Sequence, residues 1–133
     1  MIAVRYFSKS GNTKRIAEAI AEGAGVKAIS IVGETSLSER ADVLFLGGAP
    51  YANVMAPELK AYAEKLTTDT VGKAVLFTTS NWSRRTVRAL KKILASKGIP
   101  VEEDYFYAHM LNVRGRLPAA RDFGEKYKKD KIL

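Results

Sequence analysis

The sequence contains no cysteine. That absence excludes disulfides, iron–sulfur clusters, thiolate metal sites and cysteine nucleophiles. A single histidine, His109, excludes a poly-histidine metal site and argues against a histidine-based triad. Four prolines and ten glycines in 133 residues exclude a collagen-like or linker-like chain. No stretch approaches the ~20 consecutive apolar residues that span a bilayer, so no membrane association is expected. Met1 to Phe7 lacks a charged segment followed by a long apolar run, so no secretory signal is expected and the expected compartment is the cytoplasm. Acidic residues are the scarce charge: 14 Asp and Glu stand against 22 Lys and Arg, a net charge of +8. Such a balance admits nucleic acid, an anionic membrane surface, a phosphorylated ligand or an acidic protein partner, without choosing among them.

What is present is the composition of a globular domain, with 47% hydrophobic and 27% charged residues. The length predicts a single domain over residues 1–133. Strand-like and helix-like segments alternate along it. Ile2–Phe7 is apolar and β-prone, and Ser8 to Thr13 is a turn by composition. Ile16, Ala17, Ile20 and Ala21 recur on one face of a helix expected from Thr13 to Ala24, with Gly23 and Gly25 as stop signals. A short second strand covers Val26–Ile31, followed by a polar connection. Ala41–Gly47 carries the continuous apolar run Val43 to Leu46, which suits a strand buried on both faces. Pro57 opens a helix to about Leu66. Lys73–Thr79 is a fourth strand, and Ser83 is placed to cap a helix from Arg84 to Lys97. Val101–Ala108 is a fifth strand. A loop through Arg114, Gly115 and Arg116 then leads to a last helix from about Pro118 to Lys129.

Five strands, each followed by a helix or a helix-like connection, predict an α/β protein: a doubly wound parallel sheet between two layers of helices. Ligands of such sheets bind outside the carboxyl ends of the strands, near the topological switch point. Three loops leave strand ends with unusual chemistry, beginning at Ser8, Gly48 and Ser80. The first, Ser8-Lys9-Ser10-Gly11-Asn12-Thr13, offers three hydroxyls and one amide before a helix N-terminus. Gly11 allows close backbone approach, and the helix behind presents free N–H groups and a positive dipole end. Together these suit a phosphate. The segment lacks the glycine spacing of a Walker A loop and of a dinucleotide-binding fingerprint. A polar turn in which Thr13 or Asn12 merely caps the helix fits the same residues.

Ser-x-Ser-Gly-Asn-Thr directly after a first strand resembles the phosphate loop of the flavodoxin family, and the resemblance extends over the whole chain in length, strand count and loop positions. It implies the three-layer fold with strand order 2-1-3-4-5 and flavin mononucleotide (FMN) as cofactor. By the family's pattern, Ser8, Ser10, Gly11, Asn12 and Thr13 would hold the phosphate, and Lys9, an added cation in the same loop, is expected at the cofactor as well. Tyr51 falls where the family packs a large side chain on one face of the isoalloxazine ring, and Trp82 falls where it often places a second aromatic. Ala49, Pro50, Ala52, Asn53, Thr79, Ser80 and Asn81 would lie near the ring or ribityl chain. Ala52 stands where the family often has glycine, and the basic charge departs from the usual acidic surface.

The implied function is an electron carrier between a reductase and an acceptor enzyme. The alternatives are an FMN-dependent NAD(P)H oxidoreductase of quinone reductase type, or a non-enzymatic anion- or protein-binding module that has lost FMN. On the helix after Trp82, the cations Arg84, Arg88, Lys91 and Lys92 fall opposite Val87, Leu90 and Leu94. Arg84, Arg85 and Arg88 are therefore expected to form a solvated face or a docking surface for an acidic redox partner. Lysines near the C-terminus suit a solvated helix end. Without interleaved aromatics they do not predict nucleic-acid binding. A monomer or weak dimer is expected. His109 is placed in a loop near the carboxyl edge of the sheet.

Overall fold

The structure, a computed structural model, describes residues 1–34, 36–51 and 54–132, with side chains through residue 128. The elements in order are β1 (Ile2–Phe7), α1 (Asn12–Ala24), β2 (Ala28–Ser30), β3 (Ala41–Gly48), β4 (Pro50–Tyr51), β5 (Val54–Met55), α2 (Pro57–Glu64), β6 (Val71–Ser80), α3 (Arg85–Ser96), β7 (Phe106–His109) and α4 (Val113–Ile132). Five strands form one parallel sheet in the order β2-β1-β3-β6-β7. Counting main strands only, this is the expected 2-1-3-4-5. The chain steps from β1 to β2 on one side and returns to β3 on the other, which puts the switch point at β1 and β3.

Period-two alternation divides the strands between two cores. Leu44, Leu46, Ala74 and Leu76 meet Leu59 and Leu66 of the α2 side, and Val87, Leu90 and Leu94 of α3. Val43, Phe45, Val75 and Phe77 meet Ile16 and Ile20 of α1, and Ala120 and Tyr127 of α4. β3 is buried on both faces from Val43 to Gly48, as its apolar run predicts. Among the described residues no helix is long and apolar enough to cross a membrane.

Several expected boundaries move, each for a local reason. Gly25, at φ 77°, caps the C-terminus of α1, but Gly23 does not stop the helix. It lies inside α1, where an added Cβ would come within 1.9 Å of the Arg121 carbonyl oxygen on α4. Gly124 repeats this from the other side, with the Ile20 carbonyl oxygen 2.0 Å from the place a Cβ would occupy. The two glycines therefore allow α1 and α4 to cross backbone against backbone. α4 starts at Val113 and not at Pro118, and Arg114, Gly115 and Arg116 lie in the helix. Burial of Val113 in the core starts the helix early. Pro118 is exposed, where water can satisfy the Arg114 carbonyl that a proline leaves unbonded.

The fifth main strand begins at Phe106 and not at Val101, which makes only an isolated bridge to Ala74. Glu102, Glu103 and Asp104 intervene, residues that strands disfavour. β2 is confined to Ala28–Ser30, and the chain after it reaches β3 without a helix among the described residues. Ile31 and Leu37 from this link are buried. Glu34 in the same link holds Arg5, a buried arginine on β1: Arg5 Nε donates to Glu34 Oε1 at 2.8 Å, and the Tyr62 hydroxyl donates to the same oxygen at 2.5 Å. Burial, with the Glu34 carboxylate alongside, pushes the Tyr62 hydroxyl far above the usual phenol range.

Candidate functional site at the carboxyl edge of the sheet

Strand register sets the three loops side by side. Phe7 of β1 lies opposite Gly48 of β3, Gly48 opposite Thr78 of β6, and Ser80 opposite His109 of β7. The ends of four adjacent strands thus form one edge, and the loops starting at Ser8, Gly48 and Ser80 rise from it. Thr78 fixes the middle of this edge by donating its buried hydroxyl to the Gly48 carbonyl at 2.7 Å.

In the first loop, Gly11 occupies the N-cap position of α1 at φ 94° and no side chain caps the helix. That φ favours glycine, and a Cβ there would meet nothing within 4 Å, so the residue is needed for its conformation and not for space. Neither Asn12 nor Thr13 acts as the cap. The first-turn N–H groups of Asn12, Thr13 and Lys14 therefore have no acceptor within the helix. Ser8 Oγ accepts the Gly11 N–H at 3.0 Å and shapes the turn. Ser10 and Lys9 are exposed, and Asn12 is half-buried. Thr13 and Thr79 are each 1% exposed, and their hydroxyls lie 2.7 Å apart. Their side chains are bonded to each other beneath the loop, which ties the first turn of α1 to the end of β6.

The second loop contains the two-residue hairpin of β4 and β5, a feature the sequence pattern did not predict. Ala49 and Pro50 are half-buried at its base. Tyr51 stands edge-on to Phe7, with ring centroids 6.1 Å apart. Its hydroxyl accepts the Lys9 N–H at 2.9 Å, and the Lys9 ammonium sits 4.7 Å from its ring centroid. Tyr51 is thereby locked to the first loop. Ala52 and Asn53 lie outside the described residues.

In the third loop Ser80 is buried and donates its hydroxyl to the Ser83 carbonyl at 2.6 Å. Ser83 Oγ accepts the Arg85 N–H at 3.2 Å, so it assists the start of α3 as expected, although the N-cap itself is Arg84. Trp82 is 73% exposed and has φ 67°, the one described non-glycine residue in the left-handed region. Such a backbone costs about 1–2 kcal/mol and persists only where neighbours over-determine it. The Trp82 N–H donates to the Tyr107 hydroxyl at 2.7 Å, and Arg84 Nη1 donates to the Trp82 carbonyl at 3.2 Å.

His109 and Tyr107 complete the group, and neither was among the expected site residues. His109 is the last residue of β7 and not a loop residue. Its ring stands 4.5 Å from that of Trp82, edge-on. The Leu111 N–H donates to Nδ1 at 3.1 Å, which leaves Nε2 as the protonated nitrogen, donating to Asn81 Oδ1 at 2.8 Å. The available signal for both residues was position alone: an aromatic strand end facing the loop that carries the only tryptophan.

The electrostatics are one-sided. Residues 8–15, 48–55 and 80–88 contain no Asp or Glu, but they include Lys9, Lys14, Arg15, Arg84, Arg85 and Arg88. Arg85, Arg88 and Lys92 line a cleft of about 500 Å³ with Val54, Met55 and Ala89, between the hairpin and α3. Arg84 is engaged elsewhere, stacked 3.6 Å from the Tyr107 ring centroid. Among the described residues no cluster of His, Cys, Asp or Glu is arranged to hold a metal.

No family model and no curated protein matches the chain by sequence. Solved structures do match in shape. A flavodoxin from the domain Archaea superposes with a TM-score of 0.74 at 20% identity, each chain covering 100% of the other. A flavodoxin of Fusobacterium nucleatum bound to flavin mononucleotide gives 0.73 at 18% identity, covering 97% of both chains. The flavodiiron protein of Giardia intestinalis gives 0.78 at 20% identity, with 98% of this chain matching 36% of that one. With its five-stranded parallel sheet, its strand order and these neighbours, the chain has the flavodoxin-like fold.

Proposed function

We propose that the chain binds FMN at the carboxyl edge of its sheet and serves as an electron carrier. The observation that carries this reading is the pairing of an uncapped helix N-terminus, behind Ser8, Ser10 and Gly11, with aromatic residues on the two neighbouring loops. These residues fit the group. The first-turn N–H groups, with the Ser8 and Ser10 hydroxyls, suit a phosphate dianion. Tyr51 and Trp82 suit the faces of a flat ring, where each contact adds about 0.5–1.5 kcal/mol beyond area burial. The flavin mononucleotide bound by the Fusobacterium nucleatum flavodoxin agrees with this chemistry.

When bound, the isoalloxazine ring supplies the electron chemistry, and the protein sets access and potential. Ser8, Ser10, Gly11 and Asn12 orient the phosphate end. Thr13 and Thr79 hold that loop against β6 from below. Trp82 limits water at the ring while remaining largely exposed itself, which suits electron exchange with a second protein. Lys9, Arg85 and the other cations favour negative charge on a reduced ring.

The partner we propose is an acidic protein surface. It would meet Arg85, Arg88 and Lys92 around the cleft beside the hairpin, with the chain acting as a monomer or weak dimer. Replacing these three by Gln slows association about tenfold or more at low salt and much less at high salt. An association rate unchanged at low salt removes this partner.

The experiment for FMN is titration of the apoprotein with FMN and with riboflavin. Tight FMN and weak riboflavin binding supports the phosphate loop. Failure to bind either rejects the reading and turns attention to the basic surface. Addition of NADH or NADPH without a reductase then separates the carrier from a free-standing oxidoreductase, which reduces its flavin rapidly under those conditions.

A further inference from the structure

Trp82 combines three features that folding alone does not favour together. It is the only tryptophan, it is 73% exposed, and it holds a left-handed backbone without being glycine. A large aromatic left to hydrophobic burial turns inward, whereas a strained residue turned outward points to a role outside the core.

Both backbone polar groups of Trp82 are taken by side chains. Tyr107 of β7 accepts its N–H at 2.7 Å, and Arg84 donates to its carbonyl at 3.2 Å. These two side chains also brace each other: the Arg84 guanidinium lies 3.6 Å from the Tyr107 ring centroid, and its Nε donates to the Tyr105 hydroxyl at 2.7 Å. The Tyr107 hydroxyl donates in turn to the Ser80 carbonyl at 3.0 Å, at the base of the same turn. His109 stops the indole edge-on at 4.5 Å. The bracket grips the peptide and leaves the ring open.

We propose that Tyr107 and Arg84 are positioning residues that hold the Trp82 indole in place as one wall of the flavin site. The proposal rests on the FMN reading for what the wall faces, but not for the existence of the bracket. Tyr107→Phe is a clean test. It keeps the ring under the Arg84 guanidinium, and the Ser80 carbonyl keeps the Met110 N–H at 3.0 Å. Two bonds of the hydroxyl are lost: its donation to the Ser80 carbonyl, which retains the Met110 N–H, and its acceptance of the Trp82 N–H, which water can replace at this exposed turn.

Two readouts follow. In the apoprotein, Trp82 is the sole indole, so its fluorescence anisotropy reports this loop directly. The wild type decays with the tumbling of the whole protein, and Tyr107→Phe adds a faster nanosecond component. In FMN titrations, Tyr107→Phe raises Kd about two- to tenfold, and the same change in a Trp82→Ala background raises it less than about twofold. Arg84→Met, whose stem still covers the Tyr107 ring, gives the same pattern. Unchanged anisotropy in both variants overturns the proposal. So does an equal loss of FMN affinity with Trp82 absent, or a Tyr107→Phe protein that does not fold, since either assigns Tyr107 to the fold and not to Trp82. If the wild type fails to bind FMN, the proposed function falls, and the anisotropy still decides whether the bracket holds the indole.

Discussion

Replacing Thr79 by valine removes one hydroxyl and almost no volume, and it does so where the structure leaves no substitute. Thr13 and Thr79 are each 1% exposed, and the hydroxyl of each has the other as its hydrogen-bond partner at 2.7 Å. In Thr79→Val the Thr13 hydroxyl stays buried without a partner, a penalty of about 1–3 kcal/mol. Thr13→Val leaves the mirror-image orphan and destabilises by a similar amount. Removing both hydroxyls leaves two methyl groups in contact and no orphan, which is nearly neutral. The cycle therefore closes with a coupling of about 2–6 kcal/mol, the sum of the two single penalties, far above the few tenths expected of independent sites. For a domain of this size that is a fall of about 4–12 °C in Tm for each single variant, largely restored in the double. Urea unfolding of the four proteins measures it. Singles within about 0.5 kcal/mol of the wild type, or a double equal to the sum of the singles, refute the reasoning. The same bond fixes where the first-turn N–H groups of α1 point, so the preference for FMN over riboflavin falls in the single variants as well.

Gly124→Ala tests the crossing of α1 and α4. Alanine improves helix propensity by about 1 kcal/mol, but its Cβ would lie 2.0 Å from the Ile20 carbonyl oxygen, a backbone atom that cannot swing aside. Overpacking costs about 1–3 kcal/mol, occasionally more, and at this distance outweighs the propensity gain, so a Tm above wild type in a thermal melt contradicts this. Glu102→Gln tests acid stability. The Lys73 ammonium bonded to Glu102, against the opposing effect of partial burial and with help from the Tyr127 hydroxyl, holds its carboxyl below the usual range. A lowered folded pKa gives stability that is present above the unfolded pKa and lost as pH falls through the folded one. The gap between wild type and Glu102→Gln is thus open at neutral pH and closes in acid. A gap independent of pH in denaturant titrations counts against it. Lys9→Gln removes one cation from the first loop. For a charge at roughly 8 Å, Coulomb's law gives about 20–90 mV per unit charge before salt screening. The midpoint potential of the loaded protein falls by that order, and an unchanged or raised potential shows that Lys9 does not act on the ring.

The fold was legible because its strands are buried on both faces. Runs such as Val43 to Leu46 announce themselves without alternation, and helices between them force a parallel sheet. That no helix lies between β2 and β3 among the described residues was not legible, because a polar connection looks alike whether or not it coils. Arg5 was hidden in the same way: a lone cation in an apolar strand signals burial only once Glu34 and Tyr62 are known to face it. Gly23 reads as a stop signal until a second helix, with Gly124 at the crossing, is laid across it.

In the site, local chemistry was readable and long-range chemistry was not. Ser8 and Gly11 act within their own loop, so their spacing carries the message. The Thr13–Thr79 bond spans 66 residues, and the Trp82–Tyr107 bond spans 25. Neither leaves a mark in a local pattern, because each depends on two strand ends being neighbours in the sheet. These two bonds fix the geometry of the loops at either side of the edge. A motif can thus name the ligand class a loop would bind, while residues in other strands hold that loop in the conformation that binds it.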